Sequence, residues 1–68
     1  MKVTYDPATD VLLILFSSSR VVESDEEKPG IILDFDKKGN VVSMEILAAS
    51  KRMENPCSLE YAVTRAGQ

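Results

Sequence analysis

The chain has no histidine. That removes the side chain most used as a general base near neutral pH, and with it the commonest zinc ligand. Its single cysteine, Cys57, cannot form a disulfide within the chain, and one thiolate among scattered carboxylates is a poor zinc donor set. One unpaired thiol also points to a reducing, cytoplasmic setting. The three glycines, Gly30, Gly39 and Gly67, stand far apart and leave no phosphate-cradling loop. The longest apolar run, Val11 to Phe16, is six residues, whereas a membrane-spanning helix needs about 20. No membrane association and no signal peptide are expected. Lys and Arg number 8 against 11 Asp and Glu, for a net charge of −3. The only basic pairs are Lys37-Lys38 and Lys51-Arg52, so nucleic acid, which is held through clustered cations, is not an expected partner.

What remains is one small domain of 68 residues. A chain of this size hides only about 60% of its unfolded surface. A single core in this range seldom supplies more than about 3–5 kcal/mol. With the disulfide excluded, a metal or a partner chain is the usual supplement. The acidic cluster Glu23, Asp25, Glu26 and Glu27 reads first as a solvated edge or loop, and second as an acidic surface for a small basic protein.

Two segments echo each other at an offset of 30 residues. Tyr5-Asp6, four turn-type residues and Val11-Leu12-Leu13-Ile14 parallel Phe35-Asp36, four turn-type residues and Val41-Val42-Ser43-Met44. Each reads as a β-hairpin with a four-residue loop. With Lys37 to Asn40 as the second loop, Phe35 faces Val42, Leu33 faces Met44 and Ile31 faces Ile46, so one face is wholly apolar. A three-residue loop ending in a Gly39 bulge would pair Leu33 with Ser43 and Ile31 with Glu45 and spoil that sorting, which favours the four-residue loop. The same rule pairs Tyr5 with Leu12 and Val3 with Ile14.

Leu13 and Leu15 fall on the face where the second hairpin shows Ser43 and Glu45. That strand is apolar on both sides, as a central strand covered twice would be. Leu13 and Leu15 are therefore the expected interface residues. A further short strand is expected within Arg20 to Asp25. After residue 50 the spacing predicts a helix over 55–66: Asn55 suits the N-cap, Pro56 the first position and Gly67 the end, with Leu59, Ala62, Val63 and Ala66 on one stripe.

The segment Asp34 to Glu45 nearly matches a calcium-binding EF-hand loop, with oxygen donors at positions one, three and twelve, glycine at six, and Lys38 breaking position five. An EF-hand needs flanking helices, and the residues before and within this loop alternate with the period of strands. A weak cation site from Asp34, Asp36 and Asn40 stands beside the plainer reading, in which the aspartates solubilise one face and fix the turn. Ser17-Ser18-Ser19 has no base in a recognisable motif and reads as a turn. Cys57, near the start of the expected helix, reads as a semi-buried cysteine in preference to an activated thiol. Paired-carboxylate hydrolysis by Asp34 and Asp36 lacks a visible cleft.

Val3-Thr4-Tyr5-Asp6-Pro7, Asp10-Val11-Leu12, Pro29 to Asp36 and Gly39 to Ser50 together resemble a small prokaryotic family, domain of unknown function 2283, over roughly residues 1–52. The resemblance implies a small, mostly antiparallel β domain with no established catalytic residues. Family members set beside toxin-like proteins would imply an antitoxin-like, partner-neutralising role. The chain departs from the family where Leu13 and Leu15 replace more polar residues and near Ser43, usually a small or glycine-like position.

The expectation is thus an α+β, mainly β domain spanning 1–68: an antiparallel sheet of two hairpins with about four to five strands over 1–50, and a short C-terminal helix on one face. Its expected role is that of a non-enzymatic homodimeric or protein-interaction module without cofactor. The alternatives are an antitoxin-like protein and a weak cation-binding hairpin.

Overall fold

Alternating apolar residues bounded by turn formers build five strands: β1 (Lys2–Asp6), β2 (Val11–Leu15), β3 (Glu23–Lys28), β4 (Ile31–Phe35) and β5 (Val41–Leu47), followed by a single helical turn, α1 (Ala49–Arg52). The structure, a computed structural model, describes residues 1–65. All pairings are antiparallel, in the spatial order β1-β2-β5-β4-β3. The two echoing segments are the hairpins β1–β2 and β4–β5, and they meet side by side through β2 and β5. Tyr5 pairs with Leu12, Val3 with Ile14, Leu33 with Met44 and Ile31 with Ile46, as the side-chain period predicts.

The tip of the second hairpin differs. Gly39 N–H donates to the Asp36 carbonyl at 3.0 Å, Asp36 N–H donates to the Asn40 carbonyl at 3.0 Å, and Gly39 has φ +84°. The loop is therefore three residues, Lys37 to Gly39, closed by a glycine bulge. Phe35 pairs with Val41 rather than Val42, while Asp34 still pairs with Ser43. Val42 is an extra residue in β5, and this second irregularity restores the apolar register below it. Loop chemistry and side-chain sorting are both satisfied because the bulge absorbs the one-residue conflict between them.

The strand expected within Arg20 to Asp25 lies later, at Glu23–Lys28. Residues 16–22 lead from β2 to β3 around the end of the sheet: Phe16 and Ser17 N–H both donate to the Val42 carbonyl, and Val22 N–H donates to that of Phe35. Ser19 N–H bonds Ser17 Oγ at 3.3 Å, the local turn expected of this serine run.

The helix expected over 55–66 is not formed through residue 65, and Ala66 and Gly67 lie outside the described residues. Asn55 does use its side chain as a cap, with Oδ1 accepting from Cys57 N–H at 2.9 Å, but only one turn follows, closed by Ser58 N–H on the Asn55 carbonyl. A helix of about eleven residues is marginal without a surface to dock on. No packed surface holds this one: Leu59, Tyr61 and Val63 are 69%, 71% and 80% exposed. Cys57 is exposed rather than semi-buried.

Among the described residues the sheet has no second layer. Only Val42 and Ala49 are buried apolar residues, at 2% and 0% exposure. The accessible surface is 5444 Å² for a mass of 7.5 kDa, against about 4200 Å² for a compact chain of that mass. The radius of gyration is 13.6 Å, where about 11 Å is typical for this length.

Candidate interaction surface

Strand alternation sorts the side chains onto two faces. On one, β1 places Val3 and Tyr5 beside Leu12 and Ile14 of β2, which adjoin Met44 and Ile46 of β5, then Ile31, Leu33 and Phe35 of β4. Every one of these side chains is only partly buried. Four adjacent strands thus present a continuous apolar surface, bounded by Glu23 opposite Phe35 and Asp25 opposite Leu33 on the edge strand β3. A contiguous apolar surface rimmed by charged residues is the usual mark of an interaction site.

The other face holds the expected interface residues. Leu13 lies opposite Glu45, and Leu15, 36% exposed, lies opposite Ser43. β2 is central, as its double apolar character predicts, but nothing in the described chain covers it twice. Beside these leucines Asp34 is 7% and Ser43 is 5% exposed. Ser24 Oγ donates to Asp34 Oδ1 at 2.5 Å and Ser43 Oγ donates to Oδ2 at 2.6 Å. The Glu45 carboxyl is the diagonal neighbour of Asp34 on this face. Burial pushes the Asp34 carboxyl up, but the bonds from Ser24, Ser43 and Glu45 outweigh it and leave the pKa below the usual aspartate value. Glu45 moves the other way, raised by burial first and then by the Asp34 charge and hydrogen bond.

Sequence reasoning placed Asp34 and Glu45 on one face without pairing them. The signal was in the register: Asp34 opposite Ser43 and Ile32 opposite Glu45 make the two carboxyls diagonal neighbours. Asp36 is spent on the turn, its Oδ1 accepting from Lys38 and Asn40 N–H at 2.9 and 3.0 Å. Of the three residues considered for a cation, Asp34 has both carboxylate oxygens engaged by hydroxyls and Asp36 has Oδ1 engaged by amides, while Asn40 closes the turn. Among the described residues no group of three or more His, Cys, Asp or Glu is placed to hold a metal.

The acidic residues Glu23, Asp25, Glu26 and Glu27 all lie on β3, exposed along one free edge of the sheet, and Glu26 also accepts from Gly30 N–H at 2.9 Å. Charges of this kind keep an unpaired edge from templating other strands. Across the sheet end, Arg20, Lys37 and Lys38 line a shallow cleft with Asp36 and Asn40, a basic spot the sequence shows only once the 16–22 connection is placed.

The opposite end is fastened by Asp10, which adopts φ +57° in the first hairpin loop. Its carboxylate accepts from Ser50 Oγ at 2.7 Å, Ser50 N–H at 2.9 Å and the Tyr5 hydroxyl at 2.7 Å. Its pKa is lowered by these bonds, Ser50 Oγ foremost. The same contact is the main reason the Tyr5 phenol is pushed up to about 12. Arg52 completes the clasp, with Nε donating to the Leu47 carbonyl at 3.0 Å and a second guanidinium nitrogen donating to that of Pro29.

Residues 2–50 match the family described as "Protein of unknown function (DUF2283)", a span that covers all five strands and ends inside α1. No curated protein and no solved structure matches the chain.

Proposed function

Because this chain belongs to the DUF2283 family, whose description assigns no activity, we propose its function from its surfaces: a non-catalytic interaction module that works as a homodimer, with the apolar faces of two copies packed together. The observation that carries this reading is a four-strand apolar face left open, with only Val42 and Ala49 as buried apolar residues among those described. A sheet with one greasy side needs a second layer, and a second copy supplies it by symmetry. The 5444 Å² of surface exceeds the compact value by about 1200 Å², more than the roughly 800 Å² each partner loses in a standard interface. Asp34 is engaged by Ser24 and Ser43, Asp10 by Ser50 and Tyr5, and Asp36 by the backbone of its turn.

Self-association was expected at Leu13 and Leu15, but the larger apolar surface is the opposite one, and the reading places the dimer there. This leaves Leu13, Leu15 and the acidic β3 edge facing outward on both copies. A second reading follows from that: the outer surface neutralises a small basic protein, in an antitoxin-like role. Its support is the exposure of all four acidic residues on one edge.

Light scattering coupled to size-exclusion chromatography tests the first reading. The expected mass is twice 7.5 kDa, and a folded monomer at micromolar concentration defeats it. Leu33→Lys with Ile14→Lys is expected to dissociate or unfold the protein, while Leu13→Lys with Leu15→Lys keeps the dimer. The second reading predicts a basic protein co-purifying from the native host at low salt and lost at high salt. If nothing basic is retained at low salt, that reading falls.

A further inference from the structure

The family match stops at residue 50, and the chain continues past the sheet with large apolar side chains that no core receives. Leu59, Tyr61 and Val63 are 69%, 71% and 80% exposed and alternate with Glu60, Ala62 and Thr64. In extended chain such alternation gathers the apolar side chains on one side. Position narrows the reading. Leu59 and Tyr61 line a shallow cleft with Met1 and Val3. The segment therefore passes beside the start of β1, next to Val3 of the apolar face. Among the described residues it makes no backbone hydrogen bond to β1, so it is alongside the sheet without being part of it.

We propose that residues 59–63 are an arm of the homodimer, laid by each copy over the apolar face of the other. The inference rests on the self-association reading and adds to it the part of the chain that holds the two copies together. Three facts select a second copy as the occupant. The arm sits at the margin of the apolar face, so its side chains continue that surface where the partner's sheet would end. Five extended residues span about 16 Å, enough to cross the four strands of the apolar face at about 4.8 Å spacing. The area in excess of a compact chain includes the arm, so sheet and arm are covered together when one partner takes both. Two arms exchanged about a two-fold axis give a self-complementary contact that closes on itself.

The arm is tested with the full chain and two variants: Leu59→Ser/Tyr61→Ser/Val63→Ser, and a chain ending at Glu54. Dimer dissociation constants come from sedimentation velocity over a dilution series, with circular dichroism confirming the sheet. The expected result is a dimer for the full chain and at least about tenfold weaker association for both variants, a difference of about 1.4 kcal/mol. A photo-crosslinker at position 61, in an equal mixture of ¹⁴N- and ¹⁵N-labelled protein, then reports where the arm lies. Crosslinked peptides of mixed isotope are expected. Variants that dimerise as tightly as the full chain overturn the arm while leaving the dimer standing. Crosslinks of a single isotope show the arm lying on its own sheet and overturn the exchange. A full chain that stays monomeric defeats the dimer reading itself, and the arm with it.

Discussion

Two glycines with almost the same backbone angle separate strain from crowding. Gly39 has φ +84° with open space where a Cβ would stand; Gly30 has φ +85°, but a Cβ there would lie 2.6 Å from a guanidinium nitrogen of Arg52. Gly39→Ala is expected to cost about 1–2 kcal/mol from backbone strain alone. Gly30→Ala is expected to cost more, because Arg52 must also give up its bonds to Pro29 and Leu47. In an Arg52→Ala background the Gly30→Ala penalty should fall to that of Gly39→Ala, as read by urea denaturation. An unchanged penalty in that background would show that the guanidinium does not crowd the glycine.

The carboxyl pair gives a pH dependence with a definite sign. Glu45 has a folded pKa above its ordinary value. Its contribution is complete below the unfolded glutamate pKa, about 4.3, and is lost as pH rises through the raised folded value. Asp34 and Asp10 are lowered. Their contributions are present above the unfolded aspartate value, about 3.9, and are lost as pH falls through the lowered folded values. Glu45→Gln removes the titration. Its melting temperature relative to wild type should therefore rise between acid and mildly alkaline pH. A constant difference across that range would mean that the two carboxyls are not coupled.

At the level of elements, the strands were legible because a one-residue slip would have put Leu33 and Ile31 against Ser43 and Glu45. The hairpin tip was not, because Gly39 favours a three-residue loop and Val42 conceals the consequence by entering as a bulge. The carboxyl pair needed the register before it could be seen, as did the basic cleft around Arg20. The helix over 55–66 failed for a different reason. Asn55 and Pro56 are genuine start signals, yet one turn satisfies them, and no surface rewards continuing. β3 carries its own prediction. Its charges protect an edge, so Asp25→Thr with Glu27→Thr should produce species larger than the parent protein in light scattering. Unchanged mass and solubility would show that the edge needs no such protection.

At the scale of the whole molecule, the described residues form a single-layer sheet with its apolar side open, and the function depends on what covers that side. No helix among the described residues is long and apolar enough to cross a membrane. The account covers the apolar side with a second copy and turns Leu13, Leu15 and the acidic edge outward. The most direct test is the solution mass of the intact chain at micromolar concentration, measured by sedimentation together with circular dichroism. The account predicts a folded species of twice 7.5 kDa; a folded species of 7.5 kDa at every concentration would contradict it.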